Sequence, residues 1–344
     1  MSKVTTFLAL ILSVFVVAGC GGEQGTAPVS KTGWGFVDRK GTLVVKTQFN
    51  GVEPFSDGMA AVISSDRWGF VDGKGNMVVQ PSFENAQSFS HGFAGVSDRG
   101  RWGFIDKHGS WLVNPQFDDV KPFSKDDWVA AVKSGDRWGF IDDSGARLPI
   151  IEMYTETYGF TEGLAAVLDR GIHWGFVDKK GKMVIPPIYS SVTPFHDGFS
   201  EVTRADDKAF GLLDKGGVFV PKNKDGAPSN FSDGLALLEE KDKYGFINLK
   251  GEQIVKPQFF AAEHFKEHMA LVKTADGYGF INNKGEFVIK PRFEDAESFS
   301  DGLAAVRTSA GKWGYIDTTG NIVVEPVYDK ANSFSEDFGA VNVQ

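Results

Sequence analysis

Residues 68–101 read WGFVDGKGNMVVQPSFENAQSFSHGFAGVSDRGR. Trp68 to Asp72 is a short aromatic and β-branched run, Asp72-Gly73-Lys74-Gly75 has Asp opening and Gly closing a turn, and Met77 to Val79 is a second apolar run. That order spells a β-hairpin. Pro81 marks the point where the second strand is expected to leave the sheet, and Phe83, Ala86 and Phe89 read as apolar pegs in an irregular crossing. The chain returns as a third strand in Gly92-Phe93-Ala94-Gly95-Val96, which is expected to form a hairpin with the first strand of the next unit. Gly69 lies inside a strand, so a neighbouring bulky side chain or backbone is expected to close over it.

The same pattern fills the rest of the chain. Aromatic-glycine pairs occur at Trp34, Trp68, Trp102, Trp138, Trp174, Phe210, Tyr244, Tyr278 and Trp313, spaced 34 to 36 residues apart. A near-constant period over nine copies makes residues 34–344 a repeat array, which overrides the two domains that length alone would suggest. The turn recurs as Asp106-Lys-His-Gly109, Asp178-Lys-Lys-Gly181 and Asp317-Thr-Thr-Gly320, with Asn248 and Asn282 standing for Asp in two units. Asp and Asn both hydrogen-bond nearby backbone N–H groups, but only Asp can be a carboxylate base, so the slot is read as turn-forming rather than catalytic. The expected fold is all-β, a tandem array of nine repeats of about three short antiparallel strands each. Nine units exceed the usual four to eight propeller blades, and about 35 residues is short for a four-stranded blade, so an open solenoid or superhelix is expected first and a closed, propeller-like toroid second.

Residues 1–20 read MSKVTTFLALILSVFVVAGC, with Lys3 as a thin basic region, an apolar run from Val4 to Val17, and the chain's one cysteine at Cys20 after Ala18 and Gly19. The run is short for a membrane span but suits a signal peptide. Val17-Ala18-Gly19-Cys20 resembles the lipobox of bacterial lipoproteins. That resemblance implies cleavage after residue 19 and acyl chains, such as palmitate, on Cys20, which would anchor the protein to the outer face of a membrane. Gly21 follows, not Asp, which by the same resemblance permits outer-membrane delivery in a diderm host. Residues 20–33 are glycine-rich and polar and read as a flexible tether. A formal net charge of −9 argues against a nucleic-acid partner, and one cysteine cannot build a disulfide framework or a cysteine zinc cage.

The consensus aromatic-Gly-Phe-[Val/Ile]-[Asp/Asn]-x-x-Gly, then Val-Val-x-Pro-x-Phe, then Phe-Ser-[Asp/Glu]-Gly-Leu-Ala-Ala-Val resembles the WG repeat family of bacterial proteins over essentially all of residues 34–344. The resemblance implies a β-rich binding or structural module with no assigned active site. Departures fall in unit four, around Arg147–Tyr154, and in unit six, where Phe210 replaces Trp and 222–228 lack the aromatic peg.

Candidate chemistry is weighed within that register. His264-Phe-Lys-Glu-His268 spells H-x-x-E-H, which on a helix would hold zinc, but His268 falls in the slot of Gly302 and Gly92, so a turn is expected and no metal or cofactor is assigned. Ser56, Ser90, Ser124, Ser232, Ser300 and Ser335 all follow Phe, and local backbone hydrogen bonding is expected to explain them. Trp34, Trp68, Trp102, Trp138, Trp174 and Trp313 form the one candidate ligand surface, able to stack sugars or take cations if exposed, but packing between units as core spacers is the favoured reading. A basic residue often precedes the aromatic, as in Arg67 and Arg101, and strand alternation points it to the opposite face from its own Trp. The expected function is that of a lipid-anchored, non-catalytic interaction scaffold of the cell envelope, with an envelope protein as partner. The alternative is a glycan or peptidoglycan binder, and an envelope hydrolase stands third.

Overall fold

A computed structural model describes residues 32–150, 154–196, 198–221, 232–248 and 252–344. Cys20, the leader and all but the end of the tether lie outside the described residues. Every regular element among the described residues is a β-strand, in antiparallel sheets. The repeating sheet is a blade, numbered here by the aromatic-glycine pair it carries. Blade two is ordered Gly51–Val52, Met59–Ser64, Arg67–Asp72, Met77–Phe83. Each blade therefore straddles two sequence units. The third strand of one unit pairs with the first of the next, Met59 opposite Asp72 and Ser64 opposite Arg67, as expected. Pro81 does not end its strand; Met77–Phe83 runs through it as a blade edge, where a residue with no N–H to donate leaves no ladder bond unmade. Blades four to six run together into one ten-stranded sheet, because Tyr154–Thr161 pairs with strands of both blades four and five, and the edge strand of blade five, Met183–Val192, continues into blade six.

The array closes on itself, so the toroid holds and the open solenoid does not. Gly33–Asp38 pairs along its whole length with Phe338–Val343, and blade one is thus built from both ends of the repeat region, in the order Leu43–Phe49, Gly33–Asp38, Phe338–Val343, Lys330–Ser335. The short period was compatible with four strands because the first strand of a blade is only a two-residue segment such as Gly51–Val52.

The hydrophobic core is divided among the blade junctions. Phe70 of blade two and Phe89, which leads into blade three, lie in one cluster with Val79, Ala94 and Ile105. Their rings meet edge to face at 4.8 Å. The same pair recurs as Phe36–Phe55, Phe104–Phe123, Phe140–Phe160, Phe176–Phe195, Phe246–Phe265, Phe280–Phe299 and Tyr315–Phe334, with centroids 4.7 to 5.1 Å apart. Such aromatic pairs are favourable beyond the area they bury. The last of them joins blade nine to blade one, and there Tyr315 Oη donates to the carbonyls of Asn332 and Ala340 at 2.8 and 3.0 Å.

Within the strand, the glycine of the aromatic-glycine pair is covered by backbone. A Cβ on Gly69 would lie 2.5 Å from the Val79 carbonyl oxygen and 2.7 Å from the Pro81 nitrogen. The register slips between Trp68–Phe83 and Phe70–Val79, and this bulge brings the edge strand over the glycine.

Candidate functional site

Strand direction sorts the recurring residues onto two ends of the ring. The Phe-Ser-Asp-Gly segments and the Asp-x-x-Gly turns share one end, beside Met59 and Asp72; the hairpin turns such as 64–67, with the tryptophans next to them, occupy the other.

At the first end the Asp-x-x-Gly slot is a turn. Asp106 Oδ1 accepts N–H bonds from His108 at 2.9 Å and Ser110 at 2.8 Å, and Asn282 Oδ1 accepts the equivalent pair from Lys284 and Glu286 at 3.0 Å each. Gly109 closes its turn at φ +82°, where a side chain is strained. At Asp317 the Thr319 hydroxyl, foremost, and the Asn321 and Thr319 N–H groups hold the carboxyl down at about 2, against the desolvation that opposes them. A folded value below the ordinary 3.8 means stability that is present above about pH 4 and lost as pH falls toward 2. Asp317→Asn should therefore lower the urea midpoint modestly at pH 7, where the exposed carboxylate's advantage is present but screened by solvent, and lessen the drop between pH 7 and pH 3. Asp106→Asn should be neutral at pH 7, because Asn282 makes the same two turn bonds.

The Phe-Ser-Asp-Gly segments do more than turn locally. Ser90, Ser300 and Ser335 hydroxyls donate to the carbonyls of Phe123, Phe334 and Phe55, each in the next unit, at 2.6 to 2.7 Å. This corrects the local-bonding explanation, which holds for Ser124, whose hydroxyl accepts from Val129 N–H at 3.4 Å. The carboxylate just before the glycine slot also reaches forward: Asp57 to Gly92 N–H, Asp127 to Gly163, Glu162 to Gly198, Asp233 to His268, Glu267 to Gly302 and Asp301 to Asp337. Glu336 completes the circuit by accepting the N–H groups of Asp57 and Gly58 at 2.8 and 2.7 Å. Among the described residues the segments thus form a belt in which one clasps the next. His268 takes the glycine slot at φ +66° in a tight turn, as the register required, and no helix presents the H-x-x-E-H residues together. In unit two, His91 stands where the carboxylate would be and stacks on Trp128 of unit three at 4.2 Å. Sequence reasoning missed this pair, since a two-residue insertion shifts Trp128 into the glycine slot.

At the other end, Trp34, Trp68, Trp102, Trp174 and Trp313 are half-buried, and Trp138 is 3% exposed. Each indole is held between cross-strand neighbours. Trp68 faces Ile63 on one side and Phe83 on the other, and Trp34 likewise lies between Asn342 and Phe49. The fully buried spacer between blades is the Phe two residues on; five of the indoles border the junction clusters as partly buried neighbours, and Trp138 alone of the six is a member of its cluster. Cations reach some rings from the opposite strand: Lys133 over Trp138 at 5.8 Å, Lys273 over Tyr278 at 4.8 Å and Arg307 over Trp313 at 6.0 Å. The basic residue just before the aromatic turns away, as alternation required. Arg67 pairs with Glu84 at 3.9 Å, Lys312 with Asp329 at 2.5 Å, and Arg101 with Asp118, clasping the third strand to the end of the fourth. Outside the six, Trp111 and Trp128 are 39% and 51% exposed. Among the described residues no group of His, Cys, Asp and Glu is arranged to hold a metal ion.

The family model for the WG containing repeat matches residues 34–64, 68–102, 102–138, 138–171, 174–206, 244–277, 278–312 and 313–344. The unit beginning at Phe210 is not matched, yet its strand Phe210–Asp214 pairs on both sides in the common pattern. No curated protein sequence matches the chain. Among solved structures, a eukaryotic initiation factor superposes with a TM-score of 0.56 at 10% identity, over 85% of this chain and 95% of its own, a likeness of fold alone. The computationally designed Ika8 protein gives 0.45 at 13% identity over 83% of this chain and all of its own. BamB from Moraxella catarrhalis gives 0.43 at 11% identity, over 85% of this chain and 95% of its own.

Proposed function

Since the chain belongs to the WG containing repeat family, whose unit recurs along it from Trp34 to Gln344, we propose that it is a non-catalytic interaction scaffold, held through lipidated Cys20 on the outer side of a bacterial envelope membrane. The observation that carries this reading is the use to which the recurring polar residues are put. The recurring carboxylates and serines, the residue types that chemistry would need, accept or donate bonds that join one blade to the next, from Asp57 to Glu336. What differs from blade to blade is the hairpin end, where turns such as Ile63–Arg67 and Lys133–Arg137 vary in sequence on a common frame, as recognition surfaces of repeat proteins do. The partner on this reading is an envelope protein.

Anchoring is tested at Cys20. Cys20→Ala should abolish incorporation of radiolabelled palmitate and release the protein from the membrane fraction; label retained by the variant would refute the anchor. A second reading, binding of an envelope glycan, is favoured by the half-exposure of five repeat indoles at the hairpin end.

A further inference from the structure

Blade one differs from the other eight at the hairpin end. Elsewhere the second and third strands are joined by a turn such as 64–67; in blade one the corresponding strands, Phe338–Val343 and Gly33–Asp38, come from opposite ends of the array and no turn joins them. The clasp is missing as well, as it also is in blade eight, where Gly277 holds the slot of Arg67. Gly33 stands in the slot of Arg67 and Arg101, and Asn50 in the slot of Glu84 and Asp118. A cleft of about 360 Å³ opens there, lined by Trp34, Asn50, Lys330, Asn342 and Gln344 among others, and a second of about 600 Å³ adjoins it, sharing Gln48 and Phe49. Ligand sites commonly occupy about 300–1,000 Å³.

The lining is ordered by the sheet. Lys330 lies opposite Asn342, Asn342 opposite Trp34 and Trp34 opposite Phe49, so a cation, an amide, an indole and a phenyl ring form one row on one face. Asn342 is 7% exposed, and its Oδ1 is wholly buried without a hydrogen-bond donor. A buried acceptor left unmatched costs stability in the empty protein, which a ligand donor would recover. Among the described residues the side chains of Gln48, Asn50 and Lys330 also make no hydrogen bond or ion pair, in contrast to the clasped pairs at the same level in other blades. No acidic side chain among the described residues lines either cleft. The set therefore asks for a ligand that donates to Asn342, exchanges hydrogen bonds with two amides, accepts from Lys330 and lays an apolar face near an indole.

We propose that this seam cleft binds one pyranose ring, either a free sugar or a unit of a glycan chain. A sugar hydroxyl donates to Asn342 Oδ1, another oxygen accepts from Lys330 Nζ, and the C–H face of the ring packs on Trp34. The proposal rests on the glycan reading and narrows it from a surface to a site.

The test uses the full chain, titrated with N-acetylglucosamine, chitotriose and cellotriose, and followed by saturation-transfer NMR and tryptophan fluorescence. The natural protein is expected to bind at least one of them saturably, with Asn342→Ala and Lys330→Ala each weakening it by about tenfold, the worth of one hydrogen bond. His108→Ala, in an exposed turn at the opposite end, should bind as the natural protein does. Binding of the monosaccharide as tight as that of the trisaccharides identifies a free sugar; preference for a trisaccharide identifies a chain. If sugar binding survives unchanged in both seam variants, the seam site is overturned while the glycan reading stands. If none of the three binds, both fall. Asn342 adjoins the closing strands, so circular dichroism is measured alongside, and should Asn342→Ala lose its β signal, the exposed Lys330→Ala decides.

Discussion

Phe70→Ala should destabilise the ring by about 3–5 kcal/mol, the range for removing a fully buried phenyl ring from a core that cannot collapse. Phe70 is fully buried and belongs at once to its own sheet and to a junction, its ring edge-on to Phe89 of the next unit. Its loss leaves Phe89 without that partner as well as opening a cavity, and the backbone on both sides is fixed by strand pairing. Trp68→Ala in the same strand should cost less, because the indole is half-buried and borders the cluster. Urea unfolding of the two variants beside the natural protein, with midpoints compared at equal slope, ranks them. A Trp68→Ala cost equal to or above that of Phe70→Ala would show that the indoles, and not the phenylalanines, are the spacers between blades.

Gly69→Ala is expected to be nearly as damaging although it adds a single methyl group. The added carbon would meet the Val79 carbonyl oxygen at 2.5 Å and the Pro81 nitrogen at 2.7 Å, both backbone atoms that no rotamer change can move aside. Relief requires the bulge between Phe83 and Val79 to shift, and with it the edge strand that carries Phe83 to Trp68. A cost at the upper end of the roughly 1–3 kcal/mol found for overpacked cores is expected. Gly92→Ala is the internal control: its Cβ would meet nothing within 4 Å, so only the strain of φ +82° is felt. A Gly69→Ala midpoint indistinguishable from that of the natural protein would mean that the edge strand yields freely.

The sequence made the unit legible because its signals are local. The Asp-x-x-Gly turn arises from residues four apart, and replacement of Asp by Asn at 248 and 282 already separated turn formation from acid–base chemistry. The pairing of the third strand with the next unit's first strand could be read from the brevity of the link between them. Closure was not legible, because nothing in Gly33–Asp38 or Phe338–Val343 distinguishes a strand that pairs with its sequence neighbour from one that pairs with the far end of the array. The serines were misread for a related reason: a hydroxyl after Phe looks the same whether it bonds within its own turn, like Ser124, or to the next unit, like Ser90. Strand alternation places Trp68 and Phe70 on one face, but which of them lies deeper depends on how neighbouring blades approach, a fact of three-dimensional packing. The seam cleft was invisible on the same account, since Gly33, Asn50 and Asn342 acquire a common meaning only once the two ends meet.

The exchange of strands in blade one also fixes an order of events in time. A chain that emerges amino end first can assemble blade two onward from neighbours in sequence, whereas Gly33–Asp38 must wait for Phe338–Val343, made after every other blade of the array. Until then the strand presents a row of unpaired N–H and C=O groups, the kind of open edge on which chains associate wrongly. Its proper partner is also the most distant pairing in the molecule, and such pairings form slowly. For that interval the closing strands of one newborn molecule fit the open edge of another as well as their own. Crowding among newborn chains thus competes directly with closure, and the concentration of nascent chains, rather than the stability of the finished ring, sets how many molecules close on themselves.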